Sequence, residues 1–160
     1  MNNHNKIKFL VDGMLGNLAK KLRLLGYDTK YSAHKSDDEL IKITNDENRI
    51  LITKDEELYK RTTKLGFETI FLTETDELSN FLQIKNKLNI KQFSIKGDTA
   101  RCTLCNGKLI SVNKNQIIEK ISINVAMNEK FFWGCESCSK IYWEGTHILH
   151  LQEFVRRLND

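Results

Sequence analysis

The four cysteines of this chain fall as two Cys-x-x-Cys pairs, Cys102/Cys105 and Cys135/Cys138, and all lie in the last two-fifths of its 160 residues. A pair at this spacing turns two thiolates onto one ion, and two pairs complete a tetrahedral Zn²⁺ site. Cysteines so close together make poor structural crosslinks, and no strand-helix-strand pattern surrounds the second pair, so disulfides and a thioredoxin-like redox pair fit less well. With every ligand supplied by protein, the site is closed and structural, replacing the core that a short segment lacks. Between the pairs, the runs Leu109–Val112, Ile117–Val125 and Phe131–Trp133 predict a β-ribbon.

The first part of the chain reads differently. Ile7–Val11 is a short apolar run, and Leu15, Leu18, Leu22 and Leu25 then recur at helical spacing up to Gly26. Asp28–Ser32 predicts a second strand, and Ser36 with Glu39 forms a capping box that opens a second helix. Arg49–Thr53 is a third strand, Asp55–Leu65 a third helix stopped by Gly66, and Phe67–Leu72 a fourth strand before a helix with Leu78, Phe81 and Leu82. Such alternation implies right-handed crossovers and a parallel sheet covered on both faces. The expected organisation is an α/β domain over 1–97 and a zinc ribbon with a C-terminal helix over 98–160, cut near Gly97. Proline is absent, so turns fall to Gly, Asn, Asp and Ser.

In an open parallel sheet the functional crevice lies beyond the carboxyl ends of the strands. Here those positions are acidic: Asp12 follows the first strand, Asp55 follows the third, and Asp37 and Asp38 open the helix after the second. Asp37, Asp38 and Asp55 also suit helix N-termini as caps or dipole partners. Asp12 has no such alternative, and a carboxylate buried at a sheet end needs a partner. Carboxylates converging on one edge repel unless a cation joins them, and an oxygen-rich site of this kind suits Mg²⁺ or Mn²⁺. Lys54 lies between Thr53 and Asp55, within reach of the same edge, while Lys20 and Arg23 share a face of the first helix that either tracks a phosphate backbone or is a plain solvated face.

The net charge of +4 is mild and divides evenly between the two parts, so charge alone does not name a partner. The ribbon carries Phe131, Phe132, Trp133, Tyr142 and Trp143 interleaved with Lys130 and Lys140; these rings either stack bases, Trp133 foremost, or form the ribbon's own core. His147 and His150 lie on the terminal helix, where packing or surface roles fit better than acid–base chemistry. No apolar run approaches the roughly 18 to 20 residues that cross a bilayer, and Met1–Lys6 lacks the apolar core of a secretory signal, so a cytoplasmic location with no membrane partner is the expectation.

Several motifs together resemble the Mut-seven C-terminal ribonuclease family: Phe9–Gly16, Leu18–Thr29, Asp37–Leu40, Arg49–Asp55, Arg101–Gly107 and Tyr142–His147. The likeness runs from about Lys8 to His147. It implies a PIN-like three-layer nuclease domain followed by a zinc ribbon, and divalent-metal-dependent cleavage of single-stranded RNA. Asp12 and Asp55 match the family's acidic positions; register against Leu40 favours Asp37 as the third, with Asp38 beside it. This chain has Lys20 and Lys54 where members commonly carry arginine, and Thr103 where the first knuckle usually has proline. Lysine keeps the charge and loses the bidentate fork.

Two other classes compete with a nuclease. A non-catalytic RNA-binding module would use the basic helix and ribbon and leave the acidic edge idle. A phosphoacceptor domain also places carboxylates after strands one and three, but lacks an Asp-x-Asp pair, since Asp12 is followed by Gly13 and Met14.

Overall fold

A computed structural model describes residues 6–160; the start of the chain, Met1–Asn5, on which the signal-segment expectation partly rests, lies outside the described residues. The alternation read from the sequence is present as β1 (Lys8–Val11), α1 (Gly16–Leu24), β2 (Asp28–Tyr31), α2 (Asp37–Glu47), β3 (Ile50–Thr53), α3 (Glu56–Lys64), β4 (Thr69–Phe71) and α4 (Glu77–Lys87). The four strands are parallel in the order β2-β1-β3-β4. β1 and β3 are therefore central, and the chain changes direction across the sheet between them.

Alternation along each strand sorts the core into two layers. Phe9, Val11 and Ile52 face a large cluster with Leu18, Leu22, Phe81 and Ile84, so α1 and α4 cover one face. Leu10 and Leu51 face a smaller cluster with Leu40 and Leu58, so α2 and α3 cover the other. Helix boundaries follow local chemistry. Ser36 accepts from Glu39 N–H while Glu39 returns to Ser36 N–H, and α1 and α3 end at Gly26 and Gly66, both at positive φ.

The cysteine-bearing part forms an antiparallel sheet of β5 (Leu109–Val112), β6 (Phe132–Cys135) and β7 (Ile141–Trp143), ordered β5-β6-β7. One expectation fails here. Ile117–Val125 is not a strand: the connection is α5 (Lys114–Ile117), a 3₁₀ turn (Ile118–Lys120) and α6 (Ile123–Asn128). Local caps explain it, because Asn113 forms a capping box with Gln116, and Ser122 accepts from Val125 N–H. These bonds offer the backbone partners that the β-branched side chains alone do not.

The last helix, α7 (Thr146–Asn159), follows the small sheet but packs into the first core. Val155 and Leu158 join the large cluster, and Phe154 meets Phe81 edge-on at 5.3 Å. Asn159 accepts from Phe93 N–H and donates to Phe93 C=O, and Lys85 Nζ donates to Leu158 C=O. The cut expected near Gly97 is thus crossed by the chain's own terminus, for the amphipathic stripe of α7 finds its largest apolar partner on α4. Among the described residues no helix is long and apolar enough to cross a membrane. Leu158→Ala should lower stability by about 2–4 kcal/mol, the range for emptying a buried leucine site. Urea unfolding followed at the α/β domain checks it, and an unchanged midpoint would show that α7 does not belong to that core.

Candidate functional site

Asp12 ends central strand β1, with its backbone N–H on Ile52 C=O at 3.0 Å. Its half-buried carboxylate is held at both oxygens: Oδ1 accepts from Gly13 N–H and Oδ2 from Thr53 Oγ1 at 2.8 Å. Thr53 is fully buried at the end of neighbouring β3, and its hydroxyl also accepts from Asp55 N–H at 2.9 Å. One hydroxyl therefore ties together the two strand ends that carry carboxylates. Sequence reasoning passed over Thr53 as one more β-branched residue of a strand; its place directly before Lys54-Asp55 was the available signal.

Asp55 has two functions in one side chain. Its Oδ1 caps α3 by accepting from Glu57 and Leu58 N–H, and Oδ2 has no hydrogen-bond partner among the described residues. Asp37 is half-buried on the first turn of α2, the helix that crosses over β1 on its way to β3. Burial first, then the negative charges of Asp55 and Asp12, push its carboxyl above the usual range, with Arg61 opposing. Asp38 points away: it is 85% exposed and accepts from Arg61 Nη2 at 2.6 Å, whereas Asp37 lies 3.5 Å from Nη1 of the same guanidinium. Thr53 thus ties Asp12 and Asp55 at the ends of β1 and β3, Asp37 lies near enough to feel the charge of both, and Asp38 turns outward. Arg61, unnoticed in the sequence, is the cation that pairs with Asp37 and Asp38.

The predicted basic residues divide. Lys20 is exposed on α1, and Lys54 is exposed at the rim with its ammonium donating to Glu74 C=O at 2.7 Å. Arg23 is not on a solvated face. It is 6% exposed, and its guanidinium bonds Thr29 C=O at 2.9 Å and Thr103 C=O at 2.7 Å, joining β2 to the first cysteine knuckle. The helical stripe that buries Leu18, Ala19 and Leu22 takes Arg23 with it, and two carbonyls make that burial tolerable. Trp133 likewise packs inward. It is half-buried against the knuckle cluster with Gly97 pressed on its ring, so that a Cβ at Gly97 would sit 2.1 Å from Cε2.

Behind Asp12 a hollow of about 330 Å³ is lined by Gly13, Gly16, Tyr31, Thr75, Glu77 and Asn80. Tyr31 reaches it from β2 and donates to Gly13 C=O at 2.9 Å, fixing the loop after Asp12. Glu77 pairs with Lys21, and Asn80 is buried with its Oδ1 unpartnered among the described residues. No sequence pattern pointed to these two residues.

The four cysteine sulfurs all lie within 4.8 Å of one another and none forms a disulfide. Cys102–Cys138 and Cys105–Cys135 are 3.6 and 3.4 Å apart, close to the roughly 3.8 Å edge of a tetrahedron with 2.3 Å metal–sulfur bonds. The knuckles are built alike. In each, the first cysteine donates to the carbonyl five residues on and accepts from the N–H four residues on, at Asn106 and Ser139, both left-handed. Burial opposes a thiolate at Cys102, yet hydrogen bonds from Tyr142 and from the backbone of Cys105 and Leu104 lower it to about 6. These four sulfurs could bind a structural metal such as zinc. They are the one set of three or more potential ligands drawn this close among the described residues. The three carboxylates are not drawn this close.

With this geometry in view, comparison with known families is decisive. The Mut7-C RNAse domain model matches residues 7–155. The chain belongs to that family. The match spans both sheets and most of α7, so the carboxylate edge and the cysteine cluster fall inside one family unit. The family's description points to ribonuclease-type function and to RNA as substrate. A search of curated proteins finds no match. Within this unit Arg23 should act as a structural clamp. Arg23→Lys should cost roughly 1.5–3 kcal/mol, the value of a hydrogen bond made by a charged group, measured by thermal or urea unfolding. A change under a few tenths would return Arg23 to the surface role.

Proposed function

We propose that this protein is a divalent-metal-dependent ribonuclease that hydrolyses phosphodiester bonds of single-stranded RNA, with a PIN-like nuclease domain. The observation that carries this reading is the meeting of Asp12, Asp37 and Asp55 at the β1/β3 crevice of a Mut7-C family chain. Hard oxygen donors on half-buried and exposed side chains suit Mg²⁺ or Mn²⁺, and Asp12, Asp37 and Asp55 would hold it. When bound, such an ion supplies an activated water and neutralises charge on the phosphate.

The chain's own residues do the positioning. Thr53 holds Asp12, and the α3 cap holds Asp55, so two of the three carboxylates are locked before any ligand arrives. Arg61 tempers the repulsion at Asp37, and Lys54, at the same rim, offsets negative charge developing on the phosphate. The carboxylates lie on an open edge that a strand can cross without presenting an end, which supports endonucleolytic cutting. Exposed Lys20 lies beside this edge on α1 and contacts the backbone phosphates.

We assign Zn²⁺ to Cys102, Cys105, Cys135 and Cys138 on the softness and tetrahedral spacing of the four thiolates. Purified protein should carry about one equivalent of zinc by elemental analysis, lost in Cys135→Ser together with a lower unfolding midpoint. A metal-free protein of unchanged stability would remove the assignment.

Asp12→Asn should reduce RNA cleavage by at least about 100-fold, the scale of losing one electrostatic partner of a transition state, while RNA binding survives. Asparagine keeps the shape and removes one charge from the cation's cage. Wild-type cleavage by this variant in Mg²⁺, after contaminating nucleases are excluded, would leave RNA binding without catalysis as the function. Lys20→Ala should shallow the slope of log affinity against log salt by about 0.7, one phosphate contact on a single strand. An unaltered slope would take Lys20 off the RNA path.

A further inference from the structure

The motif Tyr142–His147 is not used by the carboxylate edge, yet it surrounds a hollow of its own. About 290 Å³ of space lies between the C-terminal end of α1 at Leu24, the first knuckle at Thr103, β7 and the start of α7 at His147 and Ile148. Its walls are apolar and aromatic, from Tyr142, Trp143, Ile141 and Ile148. The polar groups on it are Lys140, His147 and Thr103, and among the described residues no carboxylate lines it. The first turn of α7 carries no acidic residue either.

The two rings are held in advance. Tyr142 Oη accepts from Thr103 N–H at 3.0 Å and lies 3.0 Å from Cys102 Sγ, while Lys140 Nζ sits 5.1 Å from its ring centroid. Trp143 leans on Phe132 with centroids 6.4 Å apart. Gly145 lets the chain turn into α7 directly against the indole: a Cβ there would stand 3.2 Å from Trp143 Nε1. The motif thus reads as two fixed rings, one glycine for close approach, and a helix start.

We infer that this hollow is a nucleotide subsite for single-stranded RNA, holding one unstacked base against Tyr142 and Trp143 and its phosphate near Lys140 and His147. The choice of RNA rests on the ribonuclease reading above; the rest stands on chemistry. The volume is at the low end of ligand pockets, roughly 300 Å³, which fits one ring system and excludes a helix or a folded partner. Aromatic walls with positive charge and no carboxylate match a base with its phosphate, because every base offers a π-face and every linkage a negative charge. The hollow also continues the proposed RNA path. Gly16, Lys20 and Leu24 are four apart on one face of α1, and at 1.5 Å per residue they lead about 12 Å from the carboxylate edge to the hollow.

The test uses full-length, zinc-loaded protein and a short fluorescent single-stranded RNA, with affinity read by anisotropy in the Asp12→Asn background so that no substrate is consumed. Trp143→Ala should weaken binding roughly tenfold, within the range for losing one base–aromatic stack, and Trp143→Phe should restore most of it. Lys140→Glu and His147→Glu alter exposed side chains and should each weaken binding severalfold, whereas Lys64→Glu, the same charge change on the far end of α3, should stay within about twofold. Zinc content and unfolding midpoint show which variants are intact. RNA binding by intact Trp143→Ala and Lys140→Glu at the parental affinity overturns the subsite and leaves the nuclease standing. Weakened binding by the variants, beside a wild-type protein that never cuts RNA, sustains the subsite and overturns the nuclease. A parent that binds no RNA overturns both.

Discussion

The outer edge of β2 is the constraint on which the two parts of this protein depend. An edge strand leaves N–H and C=O groups unpaired, and here the first cysteine knuckle closes them. Thr29 N–H donates to Asn106 Oδ1 at 2.9 Å, and Thr29 C=O accepts from Arg23 Nε. Arg23 in turn bonds Thr103 C=O, and its own carbonyl accepts from Arg101 N–H at 2.8 Å. Asn106 reaches the strand because it occupies the left-handed position that ends the knuckle, so the turn that gathers two sulfurs also supplies the group that completes the sheet.

The two ends of the sheet handle charge in opposite ways. At the end where the strands begin, Arg49 is buried but fully committed: it bonds Asp28 Oδ1 at 2.8 Å, Glu47 at 2.7 Å and Phe9 C=O at 3.1 Å. Asp28 also accepts from Asn106 Nδ2, and these bonds outweigh burial to hold its carboxyl below the usual range. The buried guanidinium is thus paired with two carboxylates, which is what burial demands. At the opposite end Asp37 is raised by burial and then by its acidic neighbours, and Arg61 is shared between it and Asp38. Paired charge at one end and crowded carboxylates at the other are what the proposed cation site would need.

Much of this was legible in the sequence, for identifiable reasons. Apolar runs, capping boxes and glycine stops are local signals, and they gave β1 through α4 nearly residue by residue. Cys-x-x-Cys spacing is also local. What escaped was decided by distant partners. Arg23 reads as a surface cation until Thr29 and Thr103 are seen to flank it, and Trp133 reads as a stacking ring until Gly97 covers it. The segment Ile117–Val125 failed in the other direction, because short-range caps at Asn113 and Ser122 overrode its β-branched composition. Asn80 carries no sequence signal, being an amide whose interest lies wholly in its burial without a partner at Oδ1.

The return of α7 to the first core turns the ribbon from an appendage into an insertion. The chain leaves the α/β layer after α4, builds the small sheet and its knuckles, and comes back with Phe154, Val155 and Leu158. A segment anchored at both ends loses little further entropy when its metal site closes, since its ends are already near one another. The converse also holds: a loose ribbon would release Arg23 and Asn106 from β2, and β2 flanks the strand that ends in Asp12. Tyr31 makes the link to the acidic edge concrete, for it belongs to β2 and its hydroxyl fixes the Gly13 carbonyl directly after Asp12. The path from cysteine sulfur to carboxylate therefore runs through a single edge strand, which is why a ribbon that contributes no carboxylate to the acidic edge still shapes it.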